Sequence, residues 1–340
     1  MPRPIKPVLF GCSGPMLTEE EAAFFASANP FGFILFQRNV VEPDQVRALV
    51  KALRAAVARA DAPVFIDQEG GRVARLKPPH WPALPPLRDL GALYERDAAK
   101  GLEAMALHTR LTAQRLTDLG INGNCSPMLD LYIEDASNAI GDRALSRRPK
   151  VIVAMARVAI EGFLANGVLP VIKHLPGHGR VKVDPHHILP VVDADRATLE
   201  AEDFVPFAAL RDTPIGMNSH IVFTALDPDA PVSLSQKIHQ DIIRGVIGFQ
   251  GLLFSDDLAM KALNGPLDEI ALKALEAGAD IALYCPGDLP EMERISRALP
   301  AMSQAAAERW SRAQQRLSSA PVAVGLENAR TRLASLLPPN

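Results

Sequence analysis

Short apolar runs return eight times along the chain, at 8–10, 32–36, 64–67, 121–124, 169–173, 215–218, 251–255 and 281–284, each separated from the next by a longer stretch of helical character. Parallel strands buried on both faces read as continuous apolar runs, and neighbours in a parallel sheet need a crossover of a dozen or more residues, usually a helix. The alternation therefore restricts the chain to repeated βα units around a parallel sheet. Eight units favour a single-domain α/β fold of the (β/α)8 TIM-type barrel class, with a doubly wound open sheet as the structural alternative.

The connecting segments carry helix-end signals. Thr18 followed by Glu21 has the spacing of a capping box, and Pro43 suits a first helical turn. Glycine closes a helix directly before an apolar run in Leu119-Gly120-Ile121, Asn166-Gly167-Val168 and Ala277-Gly278-Ala279. Beyond Tyr284, helical spacing over 289–299 and 304–317 and a shorter pattern over 321–339 predict a last barrel helix and a C-terminal cover. No break in composition divides the 340 residues, so the expected organisation is one catalytic barrel domain over 1–340 with a C-terminal helical extension.

Composition excludes several classes of partner. With 48% hydrophobic and 22% charged residues the chain can bury a substantial core. A net charge of −3 without a long basic run argues against nucleic acid. No stretch approaches 18 uncharged apolar residues, so no membrane span is expected. Prolines interrupt the N-terminal segment before an apolar signal core can form, and a cytoplasmic location is expected. Cys12, Cys125 and Cys285 are odd in number, lack CxxC spacing and read as free thiols.

In a barrel of this type the chemistry sits at the C-terminal ends of the strands. Polar residues follow the apolar runs there: Asp67 with Gln68-Glu69-Gly70-Gly71-Arg72-Val73-Ala74-Arg75, Lys173-His174, Asn218-Ser219-His220 and Ser255-Asp256-Asp257. Asp256 is placed where a carboxylate can attack an electrophilic carbon, while Asp257 reads as a cap for the following helix. The densest chemistry lies at Lys173-His174-Leu175-Pro176-Gly177-His178-Gly179-Arg180, followed by Asp184-Pro185-His186-His187. Asp184 stands two residues from His186, a spacing that puts both side chains on one side of an extended segment, so the pair can act as an acid/base dyad. Spacing does not choose between His186 and His187. His174 and His178 are four apart, but Pro176 and Gly177 between them break the helix a zinc pair would need. Lys173 and His174 read as hydrogen-bond donors to a ligand, and Arg75 and Arg143 as loop cations.

These segments resemble glycoside hydrolase family 3, and within it the compact bacterial β-N-acetylglucosaminidases of peptidoglycan recycling. The resemblance is carried by Ile66-Asp67-Gln68-Glu69-Gly70-Gly71-Arg72-Val73, Ile140-Gly141-Asp142-Arg143, Lys173 to Gly179 with Asp184 to His187, and Phe254-Ser255-Asp256-Asp257-Leu258-Ala259-Met260, in that order. It implies a retaining exo-hydrolase that releases terminal N-acetylglucosamine from muropeptides without a metal or other cofactor. Asp256 is then the nucleophile, His186 the general acid/base and Asp184 the residue that orients it, with Asp67, Arg75, Arg143, Lys173 and His174 holding the sugar. The expected partner is a small-molecule substrate, and the expected assembly a monomer or weak dimer. The chain differs from the family pattern at Pro185, where serine is usual, and at Asn218-Ser219, where Pro-Ala usually precedes the histidine. A β-N-acetylglucosaminide phosphorylase, or a muropeptide-binding sensor without catalysis, are the competing expectations.

Overall fold

The computed structural model describes residues 3–183, 188–318 and 325–337. Its strands are β1 (Lys6–Phe10), β2 (Pro30–Leu35), β3 (Val64–Ile66), β4 (Gly123–Asn124), β5 (Leu169–Leu175), β6 (Val191–Val192), β7 (Ile215–Asn218), β8 (Val222–Phe223), β9 (Leu252–Asp257) and β10 (Ile281–Tyr284). Eight of them close into a barrel in the order β1, β10, β9, β7, β5, β4, β3, β2, with every neighbouring pair parallel. The eight apolar runs of the sequence are these eight barrel strands. β6 and β8 form a separate parallel pair outside the barrel.

The helices are α1 (Glu19–Ala28), α2 (Pro43–Ala56), α3 (Leu87–Arg96), α4 (Ala98–Asp118), α5 (Pro149–Ala165), α6 (Arg196–Thr198), α7 (Phe204–Ala209), α8 (Leu267–Ala277), α9 (Leu289–Ala298), α10 (Gln304–Gln315) and α11 (Leu326–Leu336). The segment Ile238–Val246 is also helical, with the wider turn of a π-helix. Thr18 and Glu21 form the reciprocal capping box and Pro43 opens α2, as their spacing predicts. The helix-ending glycines 120, 167 and 278 all adopt positive φ, at 78°, 77° and 127°. No helix among the described residues is long and apolar enough to cross a membrane.

β5 and β9 each continue two residues past the apolar runs, to Leu175 and Asp257. Their polar ends stay in the sheet because neighbouring elements satisfy them, and this carries Lys173, His174 and Asp256 on rigid strands. The opposite end of the barrel is closed by aromatic packing. Phe254 meets Phe65 edge-on at 5.2 Å and Phe31 at 6.2 Å, and Trp310 of α10 stacks edge-on against Phe31 at 4.8 Å. Arg309, beside that tryptophan, bonds Asp280 at 2.6 Å, and Arg244 holds the other oxygen of the same carboxylate at 3.0 Å. α10 thus seals the mouth opposite the polar rim, and α11 is tied to α4 by a two-pronged Arg332 to Glu103 pair at 2.7 and 2.9 Å.

Candidate active site

The ends of β3, β5 and the turn Gly141–Arg143 meet in a chain of charges. Lys173 Nζ lies 2.9 Å from Asp67 Oδ1 and 2.7 Å from Glu69 Oε1. Arg75 holds the second Asp67 oxygen at 3.0 Å, and Arg143 grips Glu69 with two bonds of 2.8 and 3.0 Å. Burial by itself would raise both carboxyls. For Asp67 the neighbouring Lys173 and Arg75 outweigh it and hold the group well below the usual carboxylate range. For Glu69, Arg143 and Lys173 do the same, bringing it to about 2. Burial would likewise favour loss of the Lys173 proton, but Asp67 and Glu69 hold its ammonium above its ordinary range. Asp67, Glu69, Lys173 and Arg143 are therefore ionised at neutral pH.

The loop between Asp67 and Leu76 is shaped by Gln68. Its side-chain oxygen accepts from the N–H groups of Arg75 and Leu76, both at 2.9 Å. Its backbone pairs reciprocally with the Asn124 side chain at 3.0 Å. Gly70, at φ 109°, can only be glycine, since a Cβ would sit 2.4 Å from the Pro85 carbonyl and 2.7 Å from His108 Nε2.

His174 is fixed from behind. Asp130, buried after β4, approaches His174 Nδ1 at 2.6 Å with one oxygen, while the other accepts the backbone N–H groups of His174 at 3.2 Å and His178 at 2.7 Å. With Nδ1 taken by the carboxylate, Nε2 is the nitrogen left for a ligand. His178 lies 5.3 Å from the His174 ring, and burial followed by that neighbour pushes it down to about 4.

Asp256 ends the barrel wall on β9. One carboxylate oxygen accepts the Asp257 N–H at 2.8 Å. Burial would raise its pKa, but His174, His220 and that N–H outweigh it and keep the group below the ordinary carboxylate value. Asp257 behaves oppositely, pushed up to about 6 by burial. It does not cap a helix, as expected from sequence, because the next helix begins only at Leu267; its Oδ1 instead accepts from Ala259 and Cys285, both at 3.1 Å.

A cavity of about 300 Å³ joins these groups, with Asp67, Arg75, Arg143, Lys173, His174 and Asp256 all in its wall. The volume is at the low end for small-ligand pockets. Arg75 Nε and His178 Nδ1 are buried with no partner among the described residues, although both side chains face this cavity. A larger depression of about 710 Å³ between α2 and the end of α4 lies toward the other end of the strands. Its Arg47, Arg54 and Arg59 are already engaged by backbone carbonyls. Six of the eight site residues expected from sequence are thus together in one pocket; Asp184 and His186 lie outside the described residues.

Residues 14–320 match the Glycosyl hydrolase family 3 N terminal domain. The chain belongs to glycosyl hydrolase family 3. Among relatives of this family 3 chain, a beta-hexosaminidase of Alkalilimnicola ehrlichii is 38% identical over 283 residues, covering 82% of this chain and 80% of the relative. A beta-hexosaminidase of Xylella fastidiosa is 37% identical over 286 residues, covering 83% and 84%. NagZ of Neisseria gonorrhoeae, solved in complex with N-trifluoroacetyl-D-glucosamine, is 30% identical, covers 98% of each chain and superposes with a TM-score of 0.87.

Sequence reasoning passed over Glu69 and Asp130 as site residues of this family 3 chain. Glu69 stood within a recognised segment, but nothing local marks it as the anchor of Arg143 and Lys173. Asp130 follows β4, whose course continues through a bridge from Met128 to Lys173, so the rule that selected the other strand-end groups reaches it once that continuation is known.

Proposed function

We propose that the protein is a retaining exo-β-N-acetylglucosaminidase acting in the cytoplasm on muropeptides, removing non-reducing N-acetylglucosamine from 1,6-anhydro-N-acetylmuramic acid with or without its peptide. The observation that carries this reading is a half-buried, ionised Asp256 at the end of β9 in a sugar-sized cavity walled by paired cations and carboxylates. The names of the relatives, beta-hexosaminidases and a NagZ bound to an N-acylated glucosamine, agree with it.

In this reading Asp256 attacks the anomeric carbon and forms a glycosyl-enzyme while protonated His186, oriented by Asp184, delivers a proton to the departing oxygen; water then attacks with His186 as base. Asp67, in the cavity wall, accepts from sugar hydroxyls, and Glu69 behind it holds the Arg143 and Lys173 cations that do the donating. Nε2 of His174, left free by Asp130 among the described residues, meets the sugar, and the Arg75 and His178 side chains face the same cavity. An imidazole acid in place of a second carboxylate lowers the negative charge met by an anionic leaving group.

The test is Asp256→Ala on an activated aryl N-acetylglucosaminide with added azide. Loss of activity with rescue as the inverted glycosyl azide supports the nucleophile, and rescue of His186→Ala as the retained azide supports the acid/base. An Asp256→Ala protein as active as the parent overturns the reading. Release of sugar 1-phosphate in phosphate buffer, in place of free sugar, converts it to a phosphorylase.

A further inference from the structure

Asn218 ends β7 and His239 lies in the helical segment Ile238–Val246; neither is in the cavity wall, and their exposures are 0% and 1%. The Asp256 backbone N–H donates to Asn218 Oδ1 at 3.3 Å. A backbone N–H can only donate, so this bond decides which way the Asn218 amide faces. Its Nδ2 then points to His239 Nε2 at 2.8 Å. An amide nitrogen also only donates, so Nε2 presents a lone pair and His239 is the Nδ1-protonated tautomer.

The placement of this chain gives it a purpose. The ladder between β7 and β9 pairs Ile215 with Leu252, Gly216 with Leu253 and Met217 with Phe254, and ends there. The Asn218 side chain takes the place of the next rung, the one that reaches Asp256. On the other flank Ser255 Oγ accepts from the Leu283 N–H at 2.9 Å and donates to the Asp256 carbonyl at 2.8 Å. The Asp256 N–H is therefore held by the Asn218 side chain where the β7 ladder has stopped, while on the β10 flank the Ser255 hydroxyl supplements a ladder that still pairs Leu283 with Asp257.

We propose that Asn218 and His239 are positioning residues for Asp256, acting as a relay that fixes the nucleophile's backbone and hence the line along which its carboxylate meets the anomeric carbon. The proposal rests on the reading of Asp256 as nucleophile. A misplacement of the order of 1 Å can cost a reaction roughly a hundredfold, so a side-chain rung at this point is a kinetic device as well as a structural one. Burial, opposed by the Ala277 backbone and assisted by Arg244, pushes the His239 imidazole down to about 4, which keeps Nε2 accepting at neutral pH. Gly278 packs against the ring so closely that a Cβ would stand 3.0 Å from His239 Cβ, which holds the imidazole in place.

The experiment compares Asn218→Leu, His239→Leu, the double variant and His239→Gln on an N-acetylglucosaminide with a poor leaving group, together with inhibition by free N-acetylglucosamine and urea unfolding. Each single leucine leaves a buried polar partner unpaired and loses both stability and roughly tenfold or more in kcat. The double leucine variant removes the His239 acceptor that Asn218→Leu leaves unpaired but still leaves the Asp256 N–H without its partner, so its stability recovers part of the Asn218→Leu loss while kcat stays low. His239→Gln, whose side-chain oxygen can accept from Asn218, recovers most of kcat, and inhibition by the free sugar changes less than about twofold throughout. Recovery of kcat together with stability in the double variant overturns the proposal, as does wild-type kcat in either folded single variant. An inactive parent, or an active Asp256→Ala protein, marks failure of the underlying nucleophile assignment instead.

Discussion

Asp130 Oδ2 approaches His174 Nδ1 at 2.6 Å inside the barrel rim, and both residues are buried. The carboxylate also satisfies two backbone N–H groups, so it shapes the strand end as well as the ring. Asp130→Ala leaves three donors buried and unpaired, each costing about 1 to 3 kcal/mol. The expected outcome is a large loss of stability in urea unfolding and a fall of at least about tenfold in kcat/KM for the folded protein. Unchanged kcat/KM would show that His174 needs no support from behind.

Asp257 gives a stability prediction with a definite sign. Its folded-state pKa is pushed up to about 6, above the ordinary aspartate range, so its contribution is complete below that range and is lost as pH rises through about 6. Asparagine keeps the oxygen that accepts from Ala259 and Cys285 without carrying the charge. Asp257→Asn is therefore expected to raise Tm relative to the parent at pH 7.5 and to leave the difference small at pH 4. A larger gain at pH 4 than at pH 7.5 would contradict the assigned shift.

Gly70 follows Glu69 in the loop that presents it. A methyl at this position meets the Pro85 carbonyl and His108, and φ of 109° is itself unfavourable for alanine. Gly70→Ala is expected to destabilise by about 1 to 3 kcal/mol and to weaken substrate binding, because Glu69 holds both Arg143 and Lys173. Chemical denaturation and KM for an aryl glycoside measure the two effects, and a normal KM would show that the Glu69 contacts tolerate the displacement.

Trp310 tests the other end of the barrel. Truncation to alanine removes the edge contact with Phe31 and is expected to cost about 3 to 5 kcal/mol. The site residues stand on the opposite rim, so kcat and KM of the folded fraction should stay within about twofold of the parent. A tenfold loss in kcat at full folding would reveal a coupling along the strands.

The barrel is legible in the sequence because a strand covered on both faces has no use for polar side chains, so each strand prints an apolar run and each helix end prints its own cap. The positions of Asp67, Lys173, His174 and Asp256 are legible for the complementary reason: a polar group interrupting such a run at its C-terminal end has somewhere polar to go. Partnerships are harder to read. Glu69 acquires its importance from Arg143, and Asp130 from His174, through contacts between loops of different strands that no local spacing encodes. Asp257 misleads for a related reason, since the atoms that bind its carboxylate come partly from Cys285, just past the following strand, and not from the next helix. Asn218 is legible as the end of a strand, but its complete burial and its bond to the Asp256 N–H are set by neighbours that local spacing does not encode.

The chain of charges from Arg75 through Asp67, Lys173 and Glu69 to Arg143 has a consequence for discrimination among epimers. Each long side chain in it is already immobilised by a partner, so little rotamer freedom remains to be lost when a sugar arrives. The same rigidity means that none of them can swing to follow a hydroxyl displaced to the other face of the ring. A sugar inverted at a single carbon therefore forfeits its contact and leaves a desolvated group unmatched, and a wall built from mutually locked ions reads stereochemistry that a set of free, adaptable cations would forgive.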